Sequence, residues 1–97
     1  MAILFDWDEE KLRKNLRDHG IHFDDASYIF DDPYRITIED SVVDGEQRWR
    51  TIGIAFDVTV LLVIHLEELL DGDILVRMIS ARKVTPGESY EYDQNRA

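Results

Sequence analysis

The segment VTVLLVIHLE at 58–67 constrains the fold of this chain more than any other. Its apolar residues occupy both alternating sets of positions, so as a strand it has to be covered on both faces. That places it in the middle of a sheet. Ninety-seven residues, 44% hydrophobic and 33% charged, are enough for one such core and too few for two. The sequence therefore predicts a single domain over residues 1–97.

The other elements arrange themselves around this run. ILFDW at 3–7 is a short strand-like lead-in, and Asp8 is placed to cap a helix running to about His19. Trp7 and Leu12 have staple spacing, Glu9/Arg13 and Glu10/Lys14 are favourable pairs four apart, and Gly20 ends the helix. A second helix is predicted next, with Asp24 as cap, Phe23 stapled to Tyr28, and the Asp32-Pro33 step as its stop.

From Tyr34 the period becomes two. YRITIED at 34–40, QRWRTIGIA at 47–55, the 58–67 run and ILVRMISARK at 74–83 read as four strands. The turns between them centre on Asp44-Gly45, Phe56-Asp57 and Asp71-Gly72. After Pro86 a short helix is possible. The expected architecture is α+β, with two N-terminal helices packed on a four-stranded antiparallel meander sheet.

The formal net charge is −10, and it is uneven. Residues 1–46 hold 13 acidic and 5 basic side chains (net −8), and residues 47–97 hold 8 and 6 (net −2). Nucleic-acid binders draw most of their affinity from cations, so contact with RNA would need a local cationic site. There is no cysteine, which excludes disulfides and thiolate metal sites and fits a cytoplasmic setting. His19, His22 and His65 lack metal-ligand spacing, the acidic clusters lack a calcium-loop glycine, and no phosphate-binding glycine loop is present. No metal or cofactor is expected. The longest apolar run is too short to span a bilayer, and the N-terminus turns acidic too early for a secretory signal.

What remains is a set of strand arginines. Arg48 and Arg50 project to one face of their strand, while Arg77 sits between Val76 and Met78 and Arg82 near the strand's end. A mid-strand arginine either meets a carboxylate, with Glu46, Glu67 or Glu68 available to Arg77, or faces an anionic ligand. The ion pair is the preferred reading for Arg50 and the two readings are even for Arg77; for Arg48 and Arg82 the ligand is preferred only with the family resemblance given below. Arg77 and Arg82 are an odd number of positions apart, so a regular strand points them to opposite faces. They serve one site only if a bulge or the strand's end intervenes.

These residues lie within WDEEKLRKNLRDHGIHFDDASYIFDDP at 7–33, GEQRWRTIG at 45–53, LLVIHLEE at 61–68 and VRMISARKVTPGESYEY at 76–92. Together, in this order, they resemble the BrnT family of toxins of bacterial type II toxin–antitoxin systems. The resemblance implies a RelE-like ribonuclease fold and an RNA-cleaving toxin that arrests translation and growth. It also implies a BrnA-type antitoxin with a DNA-binding domain, through which alone the complex contacts operator DNA. One departure is Asp18, standing before His-Gly where family members commonly carry a lysine.

Metal-independent RNA cleavage requires a base for the 2′-hydroxyl, cations for the phosphorane and an acid for the leaving 5′-oxygen. Arg48, Arg77 and Arg82 fall in the matching motifs and suit the cationic role. Glu46 or His19 is the expected acid or base. Trp7, which the staple role explains equally well, Lys11 and Lys83 are expected RNA contacts. The competing expectation is a non-catalytic module whose arginines are ion-paired and whose acidic surface binds a basic protein. A DNA-contacting regulator is disfavoured, because no helix is basic enough to enter a groove.

Overall fold

In the computed structural model, which describes residues 1–97, the doubly apolar run lies at the centre of a five-stranded sheet. The elements are β1 (Ile3–Trp7), α1 (Glu9–His19), α2 (Phe23–Ala26) running into a 3-10 turn (Ser27–Asp31), β2 (Ile36–Val43), β3 (Glu46–Ala55), β4 (Thr59–Leu70), β5 (Asp73–Lys83) and α3 (Pro86–Arg96). Strand order is β1-β5-β4-β3-β2. The four long strands form the expected antiparallel meander.

Four points correct the sequence reading. The sheet has a fifth strand: ILFDW pairs in parallel with β5, Ile3 opposite Ile74 through Trp7 opposite Met78. The second helix is a single α-turn continued by a 3-10 turn, and its cap is His22 rather than Asp24, Nδ1 accepting from the Asp24 amide at 3.0 Å. Phe23 packs edge-on against Trp7, while Tyr28 lies against Phe56 instead. Lys14 pairs with Asp18 at 2.5 Å, toward the C-terminal end of α1, and not with Glu10.

The helix signals at α1 hold. The Asp8 side chain accepts from the Glu10 amide at 2.7 Å, and Gly20 adopts a left-handed φ of 68° while its amide closes the last turn on Leu16. α1 also completes the sheet. β1 covers β5 only as far as Met78, and beyond it Asn15 takes over: its amide donates to the Ala81 carbonyl at 3.0 Å and its oxygen accepts from the Ala81 amide at 2.9 Å. A buried side-chain amide thereby satisfies strand groups that no neighbouring strand reaches.

The sheet is covered on both faces. On one, Leu61, Val63, Val76, Met78 and Ala81 pack on Leu12, Phe23, Ala26, Ile29 and Phe30. On the other, Ile52 and Leu62 lie beneath Tyr92 of α3. α3 runs a full 11 residues, longer than the polar sequence suggested. It starts in a capping box: the Glu88 carboxylate accepts from the Thr85 amide at 2.8 Å and the Thr85 hydroxyl from the Glu88 amide at 3.3 Å. It is pinned where the Tyr92 hydroxyl donates to buried Asp32, which also accepts from the Ile54 and Tyr34 amides. Burial works to raise the Asp32 pKa, but these three donors hold it below its ordinary value. Tyr92 is correspondingly pushed up to about 12 by burial and by that carboxylate.

β5 carries a bulge. Ser80 opposes Ile64 and Met78 opposes His65, which leaves Ile79 as the extra residue. Met78 and Ala81, three apart, are consequently both buried in the same core. No helix is long and apolar enough to cross a membrane.

Candidate functional site

The bulge decides where the arginines point. Directly opposed residues share a face, and Leu62, Ile64 and Leu66 alternate along β4 onto one face. Arg82 opposes Leu62, Arg50 opposes Ile64, and Arg77 opposes Leu66. Arg48 lies two positions before Arg50. All four arginines therefore project from the face that carries α3, and Glu46, two positions before Arg48, joins them.

They are not electrostatically equivalent. Arg77 is more than half exposed and donates to Asp6 of β1 at 2.6 Å, a partner set by the parallel pairing rather than by Glu46, Glu67 or Glu68. That hydrogen bond holds the Asp6 carboxyl below its usual range and raises Arg77. Arg82 is gripped by both oxygens of Glu88, at 2.8 and 2.9 Å. The Arg82 bond is the main reason the Glu88 pKa falls to about 2. Arg48 and Arg50 have no carboxylate within 4.0 Å. The ion pair expected for Arg50 is not formed, and its Nε is the one buried side-chain nitrogen or oxygen without a hydrogen-bond partner.

Arg48 lines an open groove of about 290 Å³ between the sheet and α1. Lys11, Lys14, Asn15, Asp18 and His19 form its helical wall, and Ile79 and Ser80 of the bulge form part of its floor. Three of the residues singled out in the sequence, Lys11, His19 and Arg48, meet here. Lys11 and Lys14 also border a depression on the outer side of α1 shared with Arg13 and Arg17. Asp8 and Glu10 line the same depression and Lys14 is paired with Asp18, so the cations of this helix are interleaved with carboxylates. Glu46 and Arg77 meet in a separate groove with Leu66, Leu75, Glu67 and Glu68. Lys83 lies elsewhere, beside Phe56 and Asp25. Trp7 is half-buried, edge-on to His22 and Phe23.

Sequence reasoning missed Lys14, Ser80 and the free state of Arg50. Lys14 was legible, since Lys11, Lys14, Asn15 and Asp18 recur at helical spacing beside the apolar stripe. Ser80 was not, because its position depends on the bulge.

The third histidine is a core residue. His65 is fully buried, edge-on to Phe30, with Nε2 2.8 Å from the Thr51 hydroxyl and Nδ1 3.4 Å from the Leu66 carbonyl. A carbonyl only accepts, so Nδ1 carries the proton, Nε2 accepts from Thr51, and Thr51 accepts from Thr37 at 2.7 Å. Burial lowers the His65 pKa to about 4. It is a neutral structural group near pH 7. No group of three or more His, Asp or Glu side chains is arranged to hold a metal ion.

A model of the ribonuclease toxin BrnT of type II toxin–antitoxin systems matches residues 7–88. Among solved structures, the chain is similar to the 1.1 Å crystal structure of the Brucella abortus ribonuclease toxin BrnT, with a TM-score of 0.57 and 20% identity over 88% of this chain and 99% of that one. At that identity the likeness shows a shared fold. No curated protein matches.

Proposed function

Because the chain belongs to the BrnT family of ribonuclease toxins of type II toxin–antitoxin systems, we propose that it is a RelE-like endoribonuclease that cleaves RNA without a metal ion, arresting translation and growth in the cytoplasm. Its antitoxin is then of the BrnA type, with a DNA-binding domain through which the pair reaches operator DNA.

The observation that carries this reading is Arg48. Of Arg48, Arg77 and Arg82 it alone has no carboxylate partner, and it lies in one groove with Lys11, Lys14, His19 and Ser80. A phosphodiester seated there meets a planar guanidinium suited to two of its oxygens, with lysines nearby to offset the charge of Asp18. His19, on the helical wall, is within the same groove as general base or acid. Glu46 shares the arginine face one step farther along and takes the complementary role. Arg77 and Arg82 extend the cationic row on either side. Stabilisation of the phosphorane is the step the arginines serve, and the carboxylate and imidazole handle the two protons. Lys83 and Trp7 are left as peripheral RNA contacts.

The test is cleavage of bulk RNA by the purified chain in the presence of a chelator. Arg48→Ala is expected to lower the rate at least about tenfold, the cost of losing one charge-assisted contact, with His19→Gln and Glu46→Gln reducing it further. Activity that vanishes with chelator defeats metal independence. A rate untouched by all three substitutions defeats the site.

A second reading is favoured by the ion pairs. Arg77 and Arg82 are each neutralised by a carboxylate, as expected of a non-catalytic module that binds a basic protein through its acidic surface. Full antitoxin binding by a chain that neither cleaves RNA nor slows growth would support it.

A further inference from the structure

The turn between β3 and β4 departs from its two counterparts. The β2–β3 and β4–β5 turns place Asp-Gly at the two left-handed positions, Asp44 and Gly45 (φ 50° and 79°) and Asp71 and Gly72 (φ 46° and 89°). The β3–β4 turn places Phe56 and Asp57 there, at φ 56° and 58°. Such tight hairpin turns favour Asn, Asp and Gly, and a bulky residue at positive φ is strained. Phe56 does not recover that strain by burial, since it is 60% exposed.

Instead its ring stands against another exposed aromatic. Phe56 and Tyr28 are 4.8 Å apart between ring centroids, Tyr28 is 51% exposed, and neighbouring Val58 is 81% exposed. Phe56 forms a shared wall of two grooves. One, of about 230 Å³, runs past Tyr28, Pro33, Asp31 and Asp57; the other, of about 280 Å³, past Ile21, Asp25 and Lys83. An apolar ridge bordered by carboxylates is a shape for an apolar anchor with cations beside it.

We propose that the Phe56–Tyr28 ridge is a docking surface for a protein segment that carries an apolar side chain next to a lysine or arginine. The anchor packs beside Phe56, and a flanking cation meets Asp31 and Asp57 in the first groove, which no lysine or arginine lines; in the second groove Asp25 is accompanied by Lys83. Those carboxylates repel phosphates, which favours protein over RNA as the occupant. The inference rests on the reading above that the chain has a basic protein partner, and it assigns that partner's contact to a face bearing none of the strand arginines.

The experiment uses the full chain and the purified product of the adjacent reading frame, with affinity read by calorimetry. Phe56→Asn puts a turn-compatible residue at a left-handed position, so its melting temperature is expected to stay level or rise while affinity falls about tenfold or more. Tyr28→Ser, at an exposed position, is expected to weaken binding in the same direction. If both variants bind within about twofold of the unmodified chain, the inference fails and the partner reading stands. If the unmodified chain does not bind the neighbouring product, both fail. If Phe56→Asn loses RNA cleavage and keeps its partner affinity, the ridge is a nucleic-acid surface and the inference is overturned.

Discussion

Glu88 holds Arg82 with both carboxylate oxygens, at 2.8 and 2.9 Å, while one of those oxygens also accepts from the Thr85 amide. A single side chain therefore neutralises a motif arginine, caps α3 and ties that helix to the end of β5. Structure and site are coupled at this residue. Removing its charge loosens the helix and frees the guanidinium together.

Glu88→Gln is expected to cost about 1–2 kcal/mol, the value of a partly exposed charged pair plus a cap. Urea unfolding measures the loss, and faster amide exchange in the first turn of α3 locates it. The acid limb follows from the same bond. The folded pKa of about 2 lies below the ordinary 4.5, so this stabilisation is present above about pH 4.5 and disappears as the pH falls toward 2.

His65 gives a second, separate pH window. Its folded pKa of about 4 lies below the ordinary 6.5, so the unfolded chain takes up the proton first. The stability that depends on its neutrality is complete above about pH 6.5 and is lost between 6.5 and 4, by about 3 kcal/mol at most. Glu67, an exposed residue with its carboxylate 3.9 Å from Nδ1, has a pKa raised by partial desolvation and works in the opposite direction. The comparison is accordingly between the chain and His65→Gln, whose urea midpoint is expected to fall less steeply across that window.

Gly53→Ala is expected to destabilise the fold by about 1–3 kcal/mol, the range for overpacking. A Cβ at this position would stand 2.9 Å from the Ile29 carbonyl oxygen and 3.0 Å from the Ile29 Cβ. β3 and the 3-10 turn approach too closely for any side chain between them. Thermal unfolding measures the cost, and an unchanged melting temperature would show that the turn can back away.

Arg50→Met should behave differently. It exchanges a buried, unpartnered donor for a side chain of similar length, so stability is expected to hold or to rise by up to about 1 kcal/mol. A loss above about 2 kcal/mol in urea unfolding would mean that the guanidinium packs more productively than its hydrogen bonding indicates.

Local signals in the sequence were reliable where the physics is local. Asp8, Gly20 and the Asp-Gly turns each act on amides a few residues away, and β4 announced its central place by being apolar on both faces. The parallel β1–β5 pairing joins residues 71 positions apart, and nothing in ILFDW specifies its partner. α3 was underestimated because its buried contact rests on Tyr92 alone, in an otherwise polar stretch. The site was legible as residues and not as an arrangement. That Arg77 and Arg82 share a face depends on Ile79, whose exclusion from the β4 register no periodicity encodes. Their partners, Asp6 and Glu88, come from β1 and α3, whose places against the sheet the sequence did not specify.

Those partners alter how salt should act on RNA binding. A cation that has only dissolved ions for company releases them when a phosphate arrives, and affinity then falls steeply with added salt. Arg77 and Arg82 carry tethered counterions instead, so a phosphate reaching them displaces a carboxylate of the chain and liberates nothing into solution. Counted by release, the face behaves as though only Arg48, Arg50 and the unpaired α1 cations were present. A plot of log affinity for a non-cleavable oligonucleotide against log salt should be shallower than four strand arginines imply, and Asp6→Asn should steepen it.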